Sequence, residues 1–481
     1  MSKTKRKGDN QRSSERTDTY RYILAVIIMG IFTFLFLYTE YLYVDRIALN
    51  VSEDKAVLAQ NYALGVSALG FVLYPIFRRY CNKMYRWIGN LVIAILTIGC
   101  ILMLLQHISY EKLILIGFGL FLLLGMYGSA VFYKAMQMIP DKRYLARVAG
   151  TSYMLGIVLQ FINNNLVSTE KIETVMLAIF MLILVGLLLR LDKTDEKQSV
   201  KSIQVRSEKE EKAKYVKARY TGICLIILMV LMSCIFSTLD NAVTLVHATG
   251  AFDIGQLPRI LLAVSGLLAG VLFDIRERKF MSLLMYCMML VSTICIAVFK
   301  FSGPFLAGLI VFYMTAGFFV VFFTTSFMEI SEYMKLPDLW AGLGRAVNNI
   351  TAAFITNASL KLLSSGGNMT TFVFLIVMFI AVSVVSVAYT FQRHQLMRKD
   401  AEQRQAELSE EEKVQRMVVR YSLTPREMEV LYQLVSTEDS IQEVAEKLYI
   451  SKRTLERHIS AIYEKTGVKS RVGLMNIYNE K

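Results

Sequence analysis

Over most of its length the chain alternates blocks of about twenty apolar residues with short polar breaks, and the rhythm changes only after Phe391. An apolar block of that length crosses a bilayer as a helix, because in hydrocarbon every backbone N–H and C=O must be bonded within the segment. The pattern predicts about twelve spans, at 22–44, 56–77, 87–106, 112–134, 144–167, 172–191, 220–247, 254–273, 280–299, 304–328, 340–364 and 369–391. Residues 392–420 are rich in helix formers and charge, which predicts a solvated helical linker. Its apolar positions Leu396, Leu408, Val414 and Val418 form only a ragged seam. Residues 421–481 show short runs with apolar residues at helical spacing, as in a small soluble helical domain. The expected fold class is all-α: a polytopic bundle followed by a four-helix domain.

Composition agrees. Of 481 residues, 55% are hydrophobic and 19% charged, which excludes an ordinary soluble domain. Lys and Arg gather in alternate connections: the basic tail at 1–21, then Arg78, Arg79, Lys83 and Arg86, then Lys142, Arg143 and Arg147, then Arg276, Arg278 and Lys279. Basic residues are retained on the cytoplasmic side, so both termini are expected there. The first apolar block is too long for a signal-peptide core and should remain as a span. Dense mixed charge at 192–219 predicts a cytoplasmic loop between two halves, 22–191 and 220–391. This six-loop-six layout resembles the major facilitator superfamily. "GVLFDIRERKF" (270–280) is similar to that superfamily's loop motif of a glycine, an aspartate and several basic residues. Here Arg276 comes one place late, and Glu277 stands where the motif has a second glycine.

The C-terminal pattern is more specific. In "SLTPREMEVLYQLV", Thr424, Pro425 and Glu427 form a helix-start signal of N-cap, first-turn proline and capping box. "SIQEVAEKLYI" reads as a second amphipathic helix. Ser451 can cap a third, in which Leu455, Ile459 and Ile462 face inward while Arg453, Glu456, Arg457 and Ser460 face out. Gly467 ends it, and a fourth helix begins near Ser470. Helix, short turn and helix with an exposed basic and polar face is the arrangement that enters a DNA major groove.

Residues 423–474 resemble the LuxR-type, or GerE-like, helix-turn-helix domain through "LTPREMEVL" and "EVAEKLYISKRTLERHISAIYEKTGVKSR". The resemblance implies that the third helix reads DNA, with Glu456, Arg457 and Ser460 at base-facing positions. It implies phosphate contacts from the region of Ser451, Lys452, Thr454 and Lys465, beside the outward Arg453. It further implies a homodimer on DNA through the last helix, around Val472 to Tyr478. Two departures bear on this: "STEDS" is about one residue longer than the family's loop and lacks its glycine, and Glu456 replaces an often basic residue. A glutamate there can accept a hydrogen bond from cytosine N4.

Net charge does not itself point to DNA. The +14 sits in the membrane connections, since residues 421–481 hold nine basic and nine acidic side chains; within 451–471 the count is six to two. Such a local patch binds phosphate with strong salt dependence.

Ionisable and amide residues inside spans are functional candidates by default. Helix direction places Glu40, Asn163 to Asn165, Asp240, Asn241, His247 and Arg259 toward the outer half, with Asp240 and Arg259 at a depth where they could pair. Of these, Glu40, Asn163, Asp240, Asn241 and Arg259 are the expected ligand-binding residues, for a small molecule the sequence does not identify. Asn348 and Asn349 are ambiguous, and the Gly266/Gly270 spacing predicts close helix packing. The six cysteines lie mostly in apolar runs without metal-ligand spacing, and no nucleophile elbow or phosphate loop is present, so no metal, cofactor or enzymatic activity is expected.

The sequence reading is a membrane-embedded one-component transcription regulator, in a bacterial inner membrane, that partners lipid bilayer, double-stranded DNA and a small-molecule ligand. The alternative is a major-facilitator-like transporter with a fused DNA-binding domain.

Overall fold

A computed structural model describes residues 2–104, 106, 108–167, 169–194, 208–249, 259–300, 305–364, 368–437 and 439–479, and its regular elements are helices. The chain divides into two compact units, Met1–His394 and Gln395–Lys481.

The first unit is built from α1 (Ser2–Ala48), α2 (Glu53–Tyr80), α3 (Lys83–Met103), α4 (Tyr110–Met138), α5 (Leu145–Leu166), α6 (Glu170–Thr194), α7 (Glu208–Ala248), α8 (Arg259–Phe273), α9 (Met281–Lys300), α10 (Phe305–Ser331), α11 (Pro337–Ser364) and the start of α12 (Asn368–Tyr421). Among the described residues nine helices are long and apolar enough to cross a membrane, and α8 and α9 are shorter apolar helices. The remaining one, α11, is helical over 28 residues, but Arg345, Asn348, Asn349 and Asn357 dilute its apolar character. Of the charged loop expected at 192–219, residues 195–207 lie outside the described residues, and helix already covers its two ends.

The two halves meet along α2 against α11 and α5 against α8. Small residues permit the second approach: a Cβ on Gly150 would lie 2.5 Å from the Gly266 carbonyl, and one on Gly270 would lie 2.7 Å from that of Ala146. The Gly266/Gly270 spacing therefore serves close packing.

Polar contacts tie the halves together at one end. Arg78 and Arg79 reach Asp338 at the start of α11, at 3.3 and 2.5 Å. Asp274, just after α8, accepts the free backbone N–H groups of Ala146 (3.1 Å) and Arg147 (2.8 Å) at the start of α5. Arg278 donates Nε to Glu329 at 2.7 Å and Nη1 to the Lys142 carbonyl at 2.6 Å. Arg393 of α12 donates Nε and Nη2 to the same Glu329, at 2.8 and 3.1 Å, and Nη1 to the Arg278 carbonyl at 3.0 Å. Arg278 is thus a buried latch residue rather than only a charge in a solvated loop.

This latch constrains the backbone. Arg276, Glu277 and Arg278 have φ of 48°, 56° and 63°, three successive non-glycine residues in the left-handed region. The glycine that the motif has at position 277 would relieve a cost of roughly 1–2 kcal/mol there.

The second unit contains α13 (Pro425–Ser436), α14 (Ile441–Lys447), α15 (Lys452–Thr466) and α16 (Arg471–Asn479). Val430, Leu431 and Leu434 of α13, Val444 and Ala445 of α14, Leu455, Ile459 and Ile462 of α15, and Leu474 and Tyr478 of α16 close its core. Val414 and Met417, from the last turns of α12, belong to it too, and Val418 packs against it. The C-terminal part of the ragged linker seam is therefore a face of this core.

Candidate functional site

Within the first unit a cavity of ≈ 160 Å³ opens between the halves, lined by α1, α2 and α5 on one side and α7, α8, α10 and α11 on the other. Glu40, Asp240 and Arg259 line it, three of the five residues expected from sequence. The other two do not. Asn241 is buried beside it, accepting from the Asn61 amide at 2.8 Å and donating to the Ser359 hydroxyl. Asn163 is buried away from it, with neither amide atom partnered among the described residues.

The cavity adds residues that sequence reading left out or left open. Arg345 projects from α11, flanked by Phe36 and Phe323 with its guanidinium carbon 5.3 and 5.4 Å from the ring centres. Only 8% of Arg345 is exposed, and among the described residues neither its Nε nor the Arg259 Nε has a partner. Gln60 donates to Glu40 Oε1 at 2.6 Å, and Asn348 and Asn349 complete the polar lining. Asp240 and Arg259 attract one another electrostatically, but no ion pair forms between them. Phe236 stacks on Phe319 at 4.2 Å and forms an apolar wall. The sequence signal for Arg345 was a charge within a span. It lies five residues inside the expected span 340–364, and α11, which starts at Pro337, carries it about 12 Å along the axis.

In the second unit the expected DNA-reading face is formed by α15. Thr424 and Glu427 make the capping box of α13, with Glu427 Oε2 accepting from Thr424 N at 2.7 Å. Ser440 and Glu443 make a second one for α14. The turn between α14 and α15 is a Schellman motif: Ile450 N bonds Ala445 O and Tyr449 N bonds Glu446 O, at 3.0 and 3.1 Å. Tyr449 takes the left-handed position with φ 53°. Ser451 then caps α15 by accepting from Thr454 N at 3.2 Å, and Gly467, at φ 74°, ends the helix.

Lys452, Arg453, Thr454, Glu456, Arg457 and Ser460 are all exposed on one side of α15 while Leu455, Ile459 and Ile462 are buried on the other. Two of the six basic residues at 451–471 are committed internally. Lys465, expected at phosphate, pairs with Glu427 at 2.6 Å and reaches the Ser422 carbonyl at 3.3 Å, tying the end of α15 to the start of α13. Burial would raise the Glu427 carboxyl, but Lys465 and Thr424 hold it below the usual carboxylate range. Arg471 donates to the carbonyls of Leu434 (2.8 Å), Asp439 (2.7 Å) and Thr437. It thereby closes the end of α13 and staples the longer "STEDS" loop, a role its place in a basic patch hid. On α16, Leu474 and Tyr478 are buried, whereas Val472 and Met475 are exposed.

Residues 421–478 match the family GerE, "Bacterial regulatory proteins, luxR family". Among curated proteins, none matches the chain. Among solved structures, an auto-inhibited POT family peptide transporter is similar with a TM-score of 0.50 and 9% identity, over 78% of this chain and 97% of that one. The Major Facilitator Superfamily transporter FucP in an outward conformation has a TM-score of 0.49 and 12% identity, over 78% and 99% of the respective chains. At these identities the likeness concerns the fold alone. The chain thus joins a multi-pass membrane unit, whose helices share the fold of a solved transporter, to a C-terminal segment, 421–478, that matches the luxR family of bacterial regulatory proteins.

Proposed function

We propose that the protein is a one-component transcription regulator, held in a bacterial inner membrane with both termini cytoplasmic, that senses a small molecule in the cavity of its first unit. The observation that carries the reading is the conjunction, in one chain, of a cavity with unpartnered buried charge and a helix-turn-helix whose Arg453, Glu456 and Arg457 are exposed. Arg457 and Ser460 read base edges, Glu456 accepts from cytosine, and Ser451, Lys452, Arg453 and Thr454 face phosphate. Exposed Val472 and Met475 on α16 supply the dimer contact.

A ligand changes output only if it binds two conformations differently. Rocking of the halves would break the bonds from Asp274 and Arg278 to residues 142–147 of the first half and so disturb Arg278, which shares Glu329 with Arg393 on α12, the helix whose last turns enter the C-terminal core. The α12 helix is then the mechanical route from cavity to DNA.

The test is selection of binding sites from fragmented source-genome DNA with the full-length protein in nanodiscs. Enrichment of a sequence with two half-sites is expected, and Arg457→Ala should weaken the selected site by about 1–3 kcal/mol and relax one position. Binding that is equal on all sequences and erased by salt would overturn the regulator. The transporter reading is favoured by the cavity's place between two halves. It requires uptake that Glu40→Gln and Asp240→Asn abolish while DNA binding persists.

A further inference from the structure

We infer that the cavity is shaped for a small zwitterion of amino-acid type, whose carboxylate seats on Arg345 and whose ammonium lies between Glu40 and Asp240. The inference deepens the ligand site proposed above and rests on it.

Two carboxylates and two guanidinium groups face one cavity, and electrostatic interactions connect Glu40 with Arg345 and Arg259, and Asp240 with Glu40 and Arg259. In a medium of low dielectric such groups attract strongly and would close into ion pairs if free to do so. They are held apart instead. Gln60 fixes Glu40, and Phe36 and Phe323 clamp the guanidinium of Arg345. A buried guanidinium with an unpartnered Nε between two rings presents a planar fork, the geometry that accepts a carboxylate in bidentate fashion.

Charge balance selects the rest of the ligand. His247 also lines the cavity but is bonded to Asp45 at 3.0 Å; the four remaining ionised groups sum to zero, so a ligand with net charge would leave one charge uncompensated away from water, which costs free energy. A molecule with one acid and one amine leaves none. A cavity of ≈ 160 Å³ admits a molecule of roughly ten non-hydrogen atoms, and the stacked Phe236 and Phe319 offer an apolar wall for its side chain.

The test is thermal unfolding of the full-length protein in detergent with L-leucine, L-phenylalanine and L-tyrosine. Controls are 3-phenylpropanoate, which lacks the amine, and phenethylamine, which lacks the acid. At saturation at least one zwitterion should raise Tm by about 2–5 °C, and neither control should. Arg345→Met and Asp240→Asn should each remove the shift, and Arg345→Lys, which keeps the charge but not the fork, should weaken it about tenfold. Stabilisation by none of the zwitterions, or equal stabilisation by 3-phenylpropanoate, overturns the inference. A zwitterion that stabilises the protein without altering its DNA binding would remove the sensor while leaving the ligand class standing.

Discussion

Two pairs of arginines in the same membrane unit, three of the four buried and Arg259 half-buried, have opposite surroundings. Arg278 and Arg393 share Glu329, with Asp274 beside Arg278, so their guanidinium groups are bonded to carboxylates and carbonyls. Arg259 and Arg345 face carboxylates across open space and leave Nε groups unpartnered. A guanidinium away from water requires compensation. Where the protein supplies it, the arginine is part of the scaffold; where the protein withholds it, a ligand can supply it.

Breaking the paired region should have the largest effect. Glu329→Ala leaves two buried arginines without their shared carboxylate and should cost about 3–5 kcal/mol, read as a lower Tm of the full-length protein. In the C-terminal unit the same contrast holds between committed and free basic residues. Arg471→Ala removes three hydrogen bonds to carbonyls and should destabilise that unit by roughly 2–3 kcal/mol. Arg453→Ala on exposed α15 should change folding by less than about 0.5 kcal/mol and act on DNA binding instead.

The Glu427 pair gives a pH dependence with a definite sign. A carboxyl held below its unfolded value contributes stability that is complete above that value and is lost as pH falls through the folded one. Chemical denaturation of the full-length protein, followed by probes in the C-terminal unit, should therefore show that this contribution declines below about pH 4.3. Glu427→Gln should remove that dependence. A change of opposite sign is Tyr449→Gly, which relieves a left-handed φ in an exposed turn and should stabilise by up to about 1 kcal/mol.

Much of the helical architecture was legible because bilayer-length apolar blocks and helix caps are local signals. Thr424, Ser451 and Gly467 announce their roles within three or four residues of themselves. The inward face of α15 was legible too, since burial repeats with the helical period. Tertiary pairing was not. Nothing near Lys465 or Arg471 in sequence tells that one meets Glu427 and the other a loop more than thirty residues away. Asn163 and Asn241 share the depth of Glu40 and Asp240, but depth does not give the rotation of a helix about its axis, and both miss the cavity. Arg345 carried a local signal, a charge inside the expected span 340–364, but nothing near it in sequence tells that its side chain enters the cavity between Phe36 and Phe323.

The most direct test of the contrast between paired and unpaired charge is thermal unfolding of ligand-free Arg345→Met beside Glu329→Ala in the same detergent. Arg345→Met should keep or raise Tm, because an uncompensated buried charge gives way to an apolar side chain, while Glu329→Ala should lower it. A loss in Arg345→Met as large as that in Glu329→Ala would mean that Arg345 is part of the scaffold, and the cavity would no longer be a site prepared for a ligand.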